Sequence, residues 1–461
     1  MDDLTAVHEP ARSISVAWRG DLCIVGGSCT GVFAAVRAAR LGLQVAIIEQ
    51  NAILGGTATA GQVNEWHSIR DARQQKQIIG GLTMEIVERL RRRDAIFEIS
   101  PVHRVQFRFN SAELAQELDT LVREHRIRVF LCARLASATR EGDRVAAAII
   151  EDKSGRRALA ASVFIDASGD GDLLRRAGFD AWKPPVMQPV NTQALVSGFP
   201  VWRERYQEAK FWDELSSLAP AYGFPASNAM PWLSDYPGDE GLTNIFGPRL
   251  NGVDASDADQ LTAALIEGRR LQQAYIEMAQ KVFPEAPLHL VALPQALGVR
   301  ETWHAHCLHR LTGADLLGGA IFQDTIGYGT YPVDIHSAEG TVLRYLDGRE
   351  EVVKPGGGKV RQRWRAEDAD FPAYYQIPYR CLVPRSAANL LVAGRLLDAD
   401  REAFGGVRVM VNCNQMGEAA GVAAALACNQ SCPVGTLPSA LLRTALVDGG
   451  SISLNEPVEC H

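Results

Sequence analysis

The chain has 461 residues, room for roughly two or three domains at about 150 residues each. Apolar residues make up 47% and charged residues 22%, an ordinary globular composition that excludes a disordered or fibrous chain. The formal net charge of −7 argues against nucleic acid or an anionic membrane as the main partner, and no apolar run reaches the ~20 residues of a membrane-crossing helix.

The start, Met1-Asp2-Asp3, has no basic stretch ahead of an apolar one, so no signal peptide is expected. Residues 21–25 are an apolar run that predicts a buried strand. Gly26-Gly27-Ser28-Cys29-Thr30-Gly31 follows at once. Val32, Ala35, Val36 and Ala39 then recur at helical spacing, with Arg37 and Arg40 on the outer face and Gly42 as a stop signal. Residues 44–48 predict a second buried strand, ending at Glu49, 18 residues after Gly31.

This βαβ pattern has a physical purpose at each position. Gly26 permits the tight turn, the position held by Ser28 lets backbone approach a pyrophosphate, and Gly31 lets helix pack closely on strand. Phosphates sit at the helix N-terminus, where roughly half a positive charge is presented. Glu49 accepts hydrogen bonds from a ribose. The set predicts a dinucleotide site rather than a crossover that binds nothing. Ser28 is a departure, since glycine is usual there. Gly55-Gly56-Thr57, just beyond the ribose acid, is not needed for NAD and suits a flavin dinucleotide.

Residues 111–125 predict a helix with Asn110 or Ser111 as N-cap, and 128–135 a strand. Turn signals at 141–143 and 153–155 separate strands near 145–151 and 157–161, the makings of a three-stranded meander. Residues 163–167 predict another buried strand, after which Gly169 marks a cofactor-facing turn and Asp172 a cap for a helix over 173–177. Residues 182–240 are rich in Pro and Trp (Trp182, Trp202, Trp212, Trp232), which read as core and interface packing or as the lining of a ring-binding pocket. Residues 257–281 predict one helix, and 354–359 a loop. Residues 389–394 are an apolar strand closed by Gly394 and Arg395. Gln415-Met416-Gly417 opens a helix of small residues through Ala427, whose N-terminus suits the negative edge of a reduced flavin. The nine cysteines include no C-x-x-C pair, which fits a reducing, cytoplasmic setting and argues against a disulfide reductase.

Eight segments carry a family resemblance. They are DLCIVGGSCTGVFAAVRAARLG (21–42), IIEQNAILGGTATAG (47–61), VFIDASGDGDLLRRAG (163–178), VDASDADQLTAALIEGRR (253–270), RETWHAHCLHRLTGADLL (300–317), YPVDIH (331–336), YQIPYRCLVPRSAANLLVAGR (375–395) and AFGGVRVMVNCNQMGEAAGVAAALA (403–427). In content and order they resemble the FAD-dependent oxidoreductase family of the glutathione-reductase-like superfamily. The resemblance implies bound FAD, a redox reaction and an α/β architecture. A Rossmann-like FAD-binding domain, with a central parallel sheet and a three-stranded meander, would use 15–180 and 385–450. An inserted mixed α+β substrate domain would take 181–384, with tails at 1–14 and 451–461. Gly26, Ser28, Gly31, Glu49, Gly55, Gly56, Thr57, Gly169, Gly394, Arg395, Met416 and Gly417 are the expected cofactor contacts. The residues after Arg300-Glu301, Thr302-Trp303-His304, depart from the family's usual basic and aliphatic ones, so no substrate is carried over.

The chemistry expected is hydride transfer from a small organic substrate to FAD, by a dehydrogenase or oxidase, with a base to take the accompanying proton. His336 is the first candidate, with Asp334 two residues away on the same face of an extended segment; the alternative is a structural Asp–His pair. His67 is next. Arg300 is expected either to pair with Glu301 or to clamp a substrate carboxylate, and Tyr379 and Arg380 are candidates for the cavity wall. His304, His306 and His309 are close in sequence, but no familiar ligand set completes them, so no metal is expected. Electrons leave to oxygen, a quinone, a carrier protein or nicotinamide. Flavin monooxygenation, an NAD(P)-dependent dehydrogenase on the same βαβ unit, and a flavin module in RNA modification are the competing functions; the last would want a basic face.

Overall fold

The computed structural model describes residues 7–99, 106–199, 209–224, 232–285, 287–354 and 358–454. Trp202 and the centre of the 354–359 loop lie outside them. β1 (Val16–Val25), α1 (Cys29–Arg40) and β2 (Val45–Ile48) make the expected βαβ unit. α2 (Gly81–Arg91) and α3 (Ser111–Glu124, N-capped by Asn110) precede β3 (Arg128–Phe130). β4 (Arg134–Glu141), β5 (Arg144–Asp152) and β6 (Gly155–Asp166) form the meander, and α4 (Asp172–Arg176) leaves its end. β7 (Val190–Ser197), β8 (Leu242–Leu250) and α5 (Ala258–Val282) follow. β9 (Val333–Ser337), β10 (Gly340–Arg344), β11 (Arg349–Val353) and β12 (Lys359–Arg363) form an antiparallel sheet. β13 (Leu390–Val392), α6 (Met410–Gln430) and α7 (Ser439–Asp448) complete the described chain.

The main sheet runs β3-β2-β1-β6-β5-β4, with β13 also paired to β6. β3, β2, β1, β6 and β13 are parallel, while β4, β5 and β6 are antiparallel. This is the mixed α/β architecture expected. Val25 pairs with both Ile48 and Asp166, and Val392 also pairs with Asp166. Four strands therefore end in register, and their loops open on one edge, where open α/β sheets bind ligands.

Along β1, Leu22 and Ile24 face the core that holds α1, while Cys23 and Val25 face a second core with Ile48, Phe164 and Leu173. Burial on both faces is why this strand reads as a continuous apolar run. The α1-side core also takes in Leu311, Leu316, Tyr375 and Ile377 from the later chain. A second sheet, with β7 and β8 at its centre, packs on α5, whose N-cap Asp257 accepts from Gln260 N at 2.9 Å.

Some boundaries differ from expectation. The strand expected over 128–135 stops at Phe130, because Cys132 turns the chain with φ +51°. The strands expected at 157–161 and 163–167 are one strand, β6, paired with β1 from Ala158 to Asp166. α6 begins at Met410, five residues before the expected start at Gln415. Arg37, expected on the outer face of α1, is 3% exposed.

α1 and α6 explain that burial. They cross so closely that a Cβ on Gly417 would lie 2.2 Å from Thr30 O, and one on Gly421 2.1 Å from Ala34 O. Arg37 therefore reaches across to Glu418 at 3.2 Å and to the carbonyls of Ala445 and Leu446 near the end of α7, at 3.0 and 3.1 Å. Glu418 accepts from Leu82 N in the first turn of α2 at 3.1 Å. A cation thus meets a helix C-terminus and an anion a helix N-terminus, both favoured by the helix dipole. Removing one partner would leave an uncompensated buried charge, at a cost of roughly 3–5 kcal/mol. Gly421→Ala tests the crossing. The added methyl is expected to push the helices apart and cost about 1–3 kcal/mol, read as a lower urea midpoint.

Candidate active site

The open edge of the sheet borders a cavity of about 1200 Å³. Small-ligand pockets hold roughly 300–1,000 Å³, so this one has room for a dinucleotide with a substrate beside it.

One end is built from the βαβ turn. Ser28 is the N-cap of α1, and its Oγ accepts from Gly31 N at 3.4 Å. Thr30 in the first helical turn also lines the cavity, and first-turn N–H groups lack intrahelical partners. Gly26 has φ +103°, and a Cβ there would meet Ala167 O at 2.4 Å, so no other residue fits. Glu49, at the end of β2, accepts from Gly27 N and from Asn51 N and Nδ2, all at 2.7 Å. Burial raises its carboxyl above the usual value, against the pull of those bonds. Gly55, Gly56 and Thr57 lie on the same wall, with Gly55 N bonded to Gly27 O at 2.8 Å.

The loop after β6 supplies a second wall. Asp166 accepts from Leu173 N and Leu174 N at 2.8 and 2.9 Å. It is therefore the acid that caps α4, where the sequence pointed to Asp172, which instead pairs with Arg176. The capping acid sits on the preceding strand, invisible to local spacing. Gly169 has φ +80°, and a Cβ there would lie 2.4 Å from Arg395 Nη2. Its glycine lets the Arg395 guanidinium rest on the loop, with Nη2 on Asp170 Oδ1 at 3.3 Å. Arg395 Nη1 is buried without a protein partner, and so is Asn414 Oδ1. Both residues line the cavity, as does Gly394. Buried donors and acceptors are costly unless a ligand satisfies them. A helix N-terminus, a ribose-accepting carboxylate and an unpaired guanidinium N–H form a set that fits FAD.

The other end gathers residues from β8, β9, β10 and the start of α6. Asp334 Oδ2 receives Tyr331 Oη at 2.8 Å, Arg408 Nη2 at 3.0 Å and His336 Nε2 at 3.1 Å. Asp334 Oδ1 is buried and unpartnered. Burial would raise this carboxyl, but His336, Arg408 and Tyr331 outweigh it and hold it far below the usual carboxylate range. Because a carboxylate only accepts, His336 carries its proton on Nε2. Its Nδ1 lies 2.9 Å from Thr341 Oγ1, and Arg249 Nη1 donates to that same oxygen at 2.9 Å. The Thr341 hydroxyl therefore donates to Nδ1. Burial lowers the imidazole to about 3; Asp334 opposes this, and Arg300 and Arg249 add to it. Arg300 donates through Nη1 to Pro189 O at 2.7 Å. Glu301 turns away to Gln188 N at 2.9 Å and toward His304, so the expected Arg300–Glu301 pair does not form. Burial, Arg408 and Arg249 lower Arg300 from its ordinary value.

His67, Arg300, Asp334 and His336 all line the cavity, and His67 stacks on Tyr331 with ring centroids 4.5 Å apart. Five sequence candidates lie elsewhere. Gly31 packs under Gly26 O, Gly417 supports the helix crossing, and Met416 is buried in the core. Tyr379 bonds Val434 O at 2.9 Å, and Arg380 pairs with Asp324. Because α6 starts early, Met410 and Cys413 reach the cavity in place of Met416 and Gly417. Arg249, Thr341 and Arg408 were missed; their roles arise from three separate segments, and no local pattern marks them. His304 is buried between Trp182 and Phe404, and no group of three or more potential metal ligands occurs among the described residues.

His336 in the substrate-free protein is expected to stay neutral down to about pH 5. The check is its signal in histidine-labelled protein, assigned with His336→Gln; a midpoint near 6.5 contradicts the buried pair. Because the folded value lies below the unfolded one, acidification below 6.5 favours unfolding through this group.

Residues 21–446 match the family model described as FAD dependent oxidoreductase. No curated protein matches the chain. Similar solved structures include a geranylgeranyl bacteriochlorophyll reductase-like protein of Thermoplasma acidophilum, at 13% identity and TM-score 0.45, covering 93% of this chain and 82% of that one. They also include p-nitrophenol 4-monooxygenase of Pseudomonas putida, at 10% and 0.42, covering 94% and 84%. A third is a myxobacterial chondrochloren halogenase, at 11% and 0.44, covering 93% and 78%. Likenesses this distant bear on neither reaction nor substrate. The family match spans nearly the whole chain and agrees with the βαβ turn and Glu49 that line the cavity: this protein belongs to the FAD dependent oxidoreductase family, an enzyme whose cofactor is FAD.

Proposed function

We propose that the enzyme oxidises a small organic substrate by hydride transfer, with the Asp334–His336 pair receiving the accompanying proton. The observation that carries this reading is one cavity lined both by Ser28 and Glu49 and by the Asp334–His336 pair. FAD, when bound, supplies a two-electron acceptor for the hydride. Gly26, Ser28, Glu49, Gly169 and Arg395 would hold it.

The protein's task is then orientation and proton handling. A substrate O–H or N–H bonded to Thr341 Oγ1 gives up its proton there as the hydride leaves. Thr341 passes its own hydroxyl proton to His336 Nδ1, 2.9 Å away. The hydroxyl ends as it began, and the substrate has lost a hydride and a proton. The resulting imidazolium is stabilised by Asp334 through Nε2, at 3.1 Å. Tyr331 and Arg408 keep Asp334 ionised for that purpose. Stacking of His67 on Tyr331 limits movement of the phenol.

The test is anaerobic mixing of the holoenzyme with a panel of small hydroxy and amino compounds, reading loss of flavin absorbance. One class is expected to bleach the flavin. With that class, Asp334→Asn and His336→Gln are expected to slow bleaching by roughly 10²–10⁴-fold with FAD retained. Unchanged rates in both variants contradict the proton pathway. Glu49→Gln loses charge-assisted acceptance and is expected to weaken FAD retention by about tenfold or more, measured as flavin released on dialysis.

A further inference from the structure

We propose that the substrate is elongated, an apolar chain ending in a carboxylate or a phosphate, and that it lies across the β9–β12 sheet with its reacting group at Thr341 and its charged end at Lys359 and Arg361. This rests on the oxidation reading of the same cavity and names the substrate class within it.

One face of that sheet is a wall of the cavity from its innermost strand to its outermost. Strand register sets His336, Thr341, Val353 and Lys359 in one row across the four strands, and Asp334, Leu343, Glu351 and Arg361 in the next. Both rows line the cavity, whereas Ile335, Val342, Val352 and Val360, which alternate with them, do not. Exposure rises along the rows. Asp334, His336 and Thr341 are buried, Leu343, Val353 and Glu351 are half-buried, and Lys359 and Arg361 are exposed. The wall therefore leads from the base to solvent over three strand spacings, about 14 Å. A small molecule at Thr341 would leave most of it uncovered.

The chemistry changes along the wall. Next to the base, Thr341 offers a hydroxyl. The middle carries Leu343 and Val353, partly open to the cavity, and an apolar chain lying on them removes their surface from water. At the rim, Lys359 and Arg361 share one carboxylate, Glu351, at 2.6 and 3.3 Å, and Lys354 follows β11 on the same wall. Three cations thus stand with one anion at this rim, in a chain whose net charge is −7. That local excess is complementary to an anionic group, and its exposure spares the group the cost of full desolvation.

The experiment measures binding to the FAD-loaded enzyme by titration calorimetry, so it needs no turnover. The probes are acetate, hexanoate and decanoate, hexyl and decyl phosphate, and hexanol and decanol as neutral counterparts. A decyl anion is expected to bind saturably, with affinity rising by up to about fourfold per methylene over the shorter probes. Its affinity is expected to fall as salt is added, because the rim is exposed. The tighter of the two anionic series assigns the terminal group as carboxylate or phosphate. Replacing both rim cations, Lys359→Gln with Arg361→Gln, is expected to weaken the preferred decyl anion by roughly three- to tenfold at unchanged FAD content. Those side chains are 40% and 76% exposed, so the fold does not depend on them. Val353→Asn reads the middle of the wall separately and is expected to flatten the dependence on chain length. No binding by any probe, affinity that ignores chain length, decanol as tight as both decyl anions, or unchanged affinity in both variants overturns the proposal. Its failure is separable from that of the oxidation reading. Flavin bleached by short compounds and slowed in Asp334→Asn, without any effect of chain length on binding, removes only the elongated site. Chain-length-dependent binding with full-rate bleaching in Asp334→Asn and His336→Gln removes only the proton pathway.

Discussion

The backbone contact between α1 and α6 is the constraint on which the rest of the structure depends. Gly417 and Gly421 let α6 lie against the carbonyls of Thr30 and Ala34, at a separation where a Cβ has no space. That approach brings the N-terminal turns of two helices to one cavity, Ser28 and Thr30 from α1 and Met410 and Cys413 from α6. The buried Arg37–Glu418 pair locks the crossing and ties it to α2 and α7. These parts of the cavity wall are thus set by one packing contact about one helical turn long.

Elsewhere on the cavity wall, electrostatics are arranged around a single carboxylate. Asp334 stays ionised despite burial because Arg408, Tyr331 and His336 all point at one of its oxygens. Burial holds His336 neutral, and Asp334 and Thr341 fix one tautomer by occupying its two nitrogens. An imidazole in that state can take a proton, a capacity that the nearby Arg300 and Arg249 lower.

Much of the cofactor end was legible in the sequence. The turn at Gly26–Gly31, the acid Glu49 and the strand closed by Gly169 depend on spacing within about thirty residues, the length of one βαβ unit. The meander and the long helix capped by Asp257 were legible for the same reason. Asp334 and His336 could be paired because alternate residues of a strand share a face. Arg249 and Arg408 could not be found, since each enters the site from another segment. The start of α6 was misplaced because Met410 and Val411 carry no cap signal; Val409, its N-cap, makes no side-chain bond.

By itself, then, the sequence determined the sheet's βαβ unit, its dinucleotide fingerprint and the family, because these rest on short-range periodicity and backbone sterics. Only the tertiary structure decided that Asp166 rather than Asp172 caps α4, that Arg37 is buried, and that Arg408 joins His336 and Tyr331 on Asp334. Burial and charge clustering are sums over neighbours far apart in the chain, and those neighbours are chosen by how the helices and sheets pack.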